Sequence, residues 1–163
     1  MFVPATIPRC PARGRRGRNG FSMIELLLVV VIILTIAAIA IPNLVSAITL
    51  AKVARAVGDI NSISDDIVLY QSIYYVLPDS LAQCGDGNIL DPWGNPYQYF
   101  NHATMTGNGQ IRLDRFMVPL NSEYDLYTMG ADGKTMAPIS AQPSQDDIIR
   151  AGDGSYVGLA SQF

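Results

Sequence analysis

Five arginines followed directly by a long apolar run constrain this chain more than any other feature. Arg9, Arg13, Arg15, Arg16 and Arg18 fall within the first 20 residues, with no acid among them, and residues 23–42 are apolar apart from Glu25 and Thr35. Residues 26–41 carry no charge, a length just short of an untilted membrane span, and Phe21, Met23 and Ile24 extend it. One crossing is expected. Lys and Arg beside a span stay on the cytoplasmic side, so everything after residue 42 is expected to face outward. An ordinary secretory signal carries a small-residue cleavage site after its apolar core. Here the core runs into Pro42-Asn43-Leu44, and the segment is expected to be kept.

Composition narrows what the remainder is. The chain has 163 residues, room for one compact domain beside the targeting region. Hydrophobic residues make up 49% and charged residues 15%, which disfavours disorder. From Phe21 onward six basic residues stand against fourteen acids, a formal charge of −8. That balance excludes a nucleic-acid surface, which needs clustered Lys and Arg, and favours a hard cation as partner. The two cysteines are Cys10 and Cys84; once the leader holding Cys10 is removed, no internal disulfide remains. With His102 the one histidine, a zinc site is also excluded.

Glu25 does not fit a plain anchor. A carboxylate within a spanning helix costs about 2.5–3.5 kcal/mol on insertion scales and is usually paired and functional, although one turn from the helix start it can also snorkel to the headgroups. The run Gly20-Phe21-Ser22-Met23-Ile24-Glu25-Leu26-Leu27-Leu28-Val29-Val30-Val31, with Pro42 closing the apolar stretch, resembles the amino-terminal signature of the type IV pilin-like family. The resemblance implies that a prepilin peptidase cuts between Gly20 and Phe21 and methylates the new amino group of Phe21. Glu25 would then neutralise the amine of a neighbouring subunit in a low-dielectric filament core, where such a pair is stronger than at a wet surface.

Beyond the span, Val53, Ala56, Ile60, Ile63, Ile67, Tyr70 and Tyr74 recur at alternating spacings of three and four, a helical stripe that ends near Leu77-Pro78. The spacing predicts one spine of membrane and amphipathic helix, with Pro42 and Gly58 as local weak points. Residues 79–91 read as a loop. Within it Cys84-Gly85-Asp86-Gly87-Asn88 fits neither a phosphate loop nor an EF-hand. Strands are expected at Tyr97-Gln98-Tyr99-Phe100, at residues 111–118 and at residues 123–129, punctuated by Gly107-Asn108-Gly109 and Pro119. The predicted fold class is α+β, a long N-terminal helix packed on a small antiparallel sheet with a loop-rich C-terminal region. Its parts are a cleaved leader (1–20), a transmembrane and filament-core helix (21–42), an amphipathic continuation (43–77) and a head (78–163).

Asp91-Pro92-Trp93-Gly94-Asn95-Pro96-Tyr97-Gln98-Tyr99 reads on its own as a rigid turn anchored by Trp93. Together with Tyr124-Asp125-Leu126-Tyr127-Thr128-Met129-Gly130-Ala131-Asp132-Gly133, it resembles the major pseudopilins of type II secretion. That resemblance implies a calcium site in the C-terminal loop, with Asp132 and Asp147 as carboxylate ligands, the Met129 carbonyl as a backbone ligand and Asp146 as a further one. Asp146 and Asp147 read alternatively as caps of a short helix beginning at Ile148-Ile149. Calcium would also offset the ordering entropy of residues 130–163, which read as loop-rich.

The resemblance implies a non-enzymatic subunit of a periplasmic pseudopilus, anchored in the bacterial inner membrane with its head in the periplasm. Expected partners are further copies of the chain, minor pseudopilins, prepilin peptidase, an inner-membrane assembly platform and, before assembly, lipid. The alternatives are a type IV pilus subunit for motility, adhesion or DNA uptake, and a membrane-anchored periplasmic enzyme. The last has no identifiable nucleophile and base pair.

Overall fold

A computed structural model of the chain describes residues 20–104 and 111–163. The leader and Gly107-Asn108-Gly109 lie outside the described residues, Gly20 excepted. The chain divides into two compact units, Met1–Pro42 and Asn43–Phe163.

Helix α1 (Met23–Tyr74) has 52 residues and contains Pro42. Its start follows from Ser22 and Glu25. The Ser22 N–H donates to Glu25 Oε2 at 3.1 Å, the reciprocal half of a capping box in which an N3 glutamate satisfies the N-cap amide. In the first unit the side chains of Leu26, Leu27, Val30, Ile33 and their neighbours are exposed. The helix is long and apolar enough to cross a membrane.

In the second unit the remainder of α1 lies on a four-stranded antiparallel sheet of order β1-β2-β3-β4, formed by β1 (Gln98–Asn101), β2 (Tyr124–Tyr127), β3 (Ile148–Ala151) and β4 (Tyr156–Leu159). This is the predicted α+β architecture. The helical stripe is buried from Ala56 through Ile60, Ile63 and Ile67, against Tyr97, Tyr124, Leu126 and Ile148; burying each isoleucine contributes about 1.5–3 kcal/mol. The helix ends at Tyr74 rather than Leu77, and Tyr75 takes φ 60°. Tyr70 and Tyr74 leave the core and pack on each other, ring centroids 4.5 Å apart.

The opposite sheet face is covered too. Tyr127, Ile149 and Ala151 pack with Leu120, Ile139 and Ala160, so all four residues of β2 are buried.

Two expectations need correction. Residues 111–118 form no strand: Leu113 makes a single parallel bridge to Pro138, because Asp114 folds back, its N–H donating to the Met117 carbonyl. Ile148-Ile149 begins a strand, not a helix. Both side chains are fully buried, on opposite faces of the sheet, a placement that suits β-branched residues. Within the loop-rich residues 130–163 lie two of the four strands, β3 and β4.

Candidate functional site

Two places carry the residues singled out by sequence: the start of α1 and the segment around Asp132 and Asp147. At the first, Gly20 and Phe21 are exposed just ahead of α1. Phe21 lines an apolar groove with Met23, Ile24, Leu27 and Val30. A cut after Gly20 would place a new amine one turn from the Glu25 carboxylate, which is exposed and held by the Ser22 N–H. The capping box Ser22-Met23-Ile24-Glu25 is legible in the sequence as a serine followed three residues later by a glutamate.

The second place is built on the end of β2 and the start of β3. Thr128 N–H donates to the Ile148 carbonyl at 2.9 Å, and Thr128 Oγ1 accepts the Gly130 N–H at 2.9 Å. The chain then turns at Gly130, φ 62°, where a Cβ would collide with the Asp146 backbone carbonyl. Asp146 clasps this turn, its Oδ2 accepting the N–H groups of Ala131 at 2.7 Å and Asp132 at 3.0 Å. Asp132 in turn accepts the Lys134 N–H at 2.8 Å. Asn95 closes the turn from the other side, donating to the Gly130 carbonyl at 3.2 Å.

Asp91 organises the neighbouring Asp-Pro-Trp-Gly-Asn-Pro turn. It is buried, and its Oδ1 accepts from Trp93 N at 3.0 Å and Asn95 N at 2.8 Å, an Asx-type arrangement, while Gly94 takes φ 95°. Trp93 packs at the edge of the helix-facing core. The anchor of this turn is thus the aspartate as much as the tryptophan. From the same turn, Tyr97 donates its hydroxyl to Asp59 Oδ2 at 2.9 Å. Burial, followed by the bond to Asp59, pushes the Tyr97 phenol above its ordinary range. Asp59 also faces Arg55 at 3.6 Å.

The four residues expected to bind calcium are not gathered at one point. Asp132 and Asp146 share the Gly130 turn, with Met129 half-buried beside it. Asp147 is fully buried and turned to other partners: Arg112 Nη2 forms an ion pair with its Oδ2, and the Thr135 hydroxyl donates to the same oxygen at 2.6 Å. Arg112 Nη1 donates to Thr135 Oγ1 and to the Met136 carbonyl. The guanidinium stacks on Tyr127, 4.0 Å from the ring centroid. Ser144 Oγ lies within the same group, accepting the Met136 N–H at 2.9 Å.

Calcium needs six to eight oxygens. Here a hydroxyl, a carbonyl and a buried carboxylate already converge on a permanent cation. Among the described residues no three His, Cys, Asp or Glu side chains form a group able to hold a metal. Asp147 Oδ1 is buried and unpartnered among the described residues, but a divalent ion placed on it would meet the guanidinium. Unit like charges 4 Å apart repel by about 4 kcal/mol at an effective dielectric near 20, and a double charge doubles that. The residues present do not fit a calcium ion centred on Asp147. Sequence reading missed Arg112, whose one signal is its position between Ile111 and Leu113.

Residues 15–41 match the family model described as the prokaryotic N-terminal methylation motif. The chain is 32% identical over 115 residues, 58% of this chain and 70% of the relative, to the type II secretion system core protein G of Pseudomonas aeruginosa strain PAO1. No solved structure matches it. The identity runs well beyond the apolar helix into the head, and the chain belongs to the family of the type II secretion system core protein G.

Proposed function

We infer that this chain is the repeating structural subunit of a type II secretion pseudopilus. The observation that carries the reading is the pairing of two motifs in one chain: the methylation motif at the start of α1 and a head related to core protein G. The first motif alone would fit a type IV pilus subunit equally well, so that reading is the less specific one.

In the proposed cycle the precursor sits in the inner membrane by its apolar helix, with the head in the periplasm. Prepilin peptidase removes residues 1–20 and methylates Phe21. Subunits then polymerise through the exposed apolar face of α1 and rise as a piston that drives folded substrates outward, together with minor pseudopilins and on an inner-membrane platform. The work is mechanical, with no chemistry assigned to the chain. Glu25 is the alignment device: costly in lipid when unpaired, it is relieved when it meets the Phe21 amine of the next copy.

The test is complementation. In a host lacking its own core protein G, this chain should restore export of a type II substrate, and Gly20→Ala should leave an unprocessed, inactive precursor. Filaments on intact cells without restored export would favour the pilus reading.

A further inference from the structure

The calcium ion expected from the resemblance and the guanidinium found at Asp147 compete for one role. We propose that Arg112 is the built-in cation of this head, tying residues 135–147 to the sheet through Asp147, so that the folded head does not depend on calcium. The inference concerns the stability of the head and stands independently of the filament reading.

Four features carry it. Arg112 is nearly fully buried, 2% exposed, although Arg is among the residues least often buried without a partner. Its contacts come from chain segments far apart: Asp147, Thr135 and Met136 on one side and the Tyr127 ring of β2 beneath. The Arg112 main chain is pinned as well, its N–H donating to Asp125 Oδ2 at 2.7 Å and its carbonyl receiving the Leu120 N–H at 2.8 Å. Asp125 is itself buried and held by Asn121 Nδ2 at 2.9 Å. The arginine therefore enters from a fixed backbone rather than a loose surface loop. A planar fork with several donors can bind carboxylate, hydroxyl and carbonyl together, which is the bridging work a hard cation does with oxygen ligands. Being covalently attached, it needs no ion from the medium.

The experiment uses the full chain in detergent micelles, with head unfolding followed by fluorescence of Trp93, the one tryptophan in the sequence. Thermal midpoints are compared in chelator and in millimolar calcium for the wild type, Arg112→Gln, and the double variant Arg112→Met/Asp147→Leu. The expected result is a wild-type midpoint that calcium moves by no more than about 1 °C, where a metal held only by the folded state would raise it by roughly 5 °C or more. Arg112→Gln should lose roughly 10 °C or fail to fold, because it strands a buried carboxylate. The double variant, with both charges replaced by apolar groups, should recover most of that loss. A calcium-dependent rise in the wild type would overturn the proposal. So would a wild-type midpoint in Arg112→Gln, or a double variant no more stable than the single one.

Discussion

Glu25 Oε2 accepts the backbone N–H of Ser22, 3.1 Å away across the first turn of α1. In the single chain this glutamate caps its own helix, before any neighbour is present to pair with it. One neutral amide leaves the carboxylate charged, so an amine from a neighbouring copy would add the charge partner that the cap does not supply. Glutamine is also accepted at this capping position, which separates the two roles experimentally.

The first prediction uses that separation. Glu25→Ala removes cap and charge together, while Glu25→Gln keeps the cap and removes the charge. Both should insert and be processed. Loss of the cap itself should cost about 0.5–2 kcal/mol of local helix stability. If charge pairing drives alignment, both variants should lose filaments in a cross-linking assay on whole cells. Assembly of Glu25→Gln at the wild-type level would mean that capping suffices.

Asp91 should be a structural weak point. Its carboxylate is buried and receives two turn amides, so Asp91→Ala should destabilise the head by about 1–3 kcal/mol by leaving them unpaired. Denaturant titration of Trp93 fluorescence measures this directly, since Trp93 sits in the same turn. Equal midpoints for wild type and variant would show that the turn is held by packing alone.

Ile63 is buried at the centre of the helix-facing core. Ile63→Ala should cost about 2–5 kcal/mol, the range for removing a large aliphatic side chain from a packed interior. The same assay applies. A cost under 1 kcal/mol, well short of that range, would mean that helix and sheet close up around the gap.

Tyr97 should be silent in an alkaline titration of the folded head. Its phenol is raised above the ordinary value of 10.0, mainly by burial and then by its bond to Asp59. A raised folded value means that its stabilising contribution is complete below pH 10.0 and fades as pH rises further. Tyr97→Phe should lower stability by about 0.5–1.5 kcal/mol at neutral pH. Tyrosinate absorbance appearing at Tyr97 while the head is still folded would count against the buried bond.

Asp153 has the opposite sign. The Ser122 N–H at 2.8 Å, aided by the Ser122 hydroxyl and Arg150, holds its carboxyl below the ordinary value of 3.8. Its contribution is present above 3.8 and is lost as pH falls through the depressed value. Asp153 also takes φ 57°, a conformation that asparagine tolerates well. Asp153→Asn should therefore lower the midpoint modestly at pH 7 and flatten the acid limb of the midpoint-against-pH curve, because the contribution lost there is the one the wild type loses in acid. An unchanged acid limb would assign acid sensitivity to other carboxylates.

The helix was readable because its stripe obeys a local period: Ala56, Ile60, Ile63 and Ile67 are spaced for one face and are all buried. Strand β2 was readable from its aromatic and aliphatic residues, although its alternation means two buried faces and not one wet one. Strands β3 and β4 were hidden by their company. Asp146-Asp147 ahead of Ile148 imitates a helix cap, while the pairings Ile148 to Leu159 and Ala151 to Tyr156 depend on residues further along the chain. The Arg112–Asp147 pair spans 35 positions, and no spacing rule reaches that far. The calcium ligands were inferred from likeness at single positions, and likeness did not reveal that a cation from elsewhere in the chain meets one of them.

The sheet has a consequence for how copies add to one another. Its outer strands, β1 and β4, are four residues each, and β4 runs straight into the 3-10 turn Ala160–Gln162. Edges this short give a visiting strand little to zip onto. Growth by edge-to-edge hydrogen bonding, the route to amyloid, is therefore blunted in the head. In the filament proposed above, contacts between copies would then fall to side chains, among them the exposed apolar residues of α1.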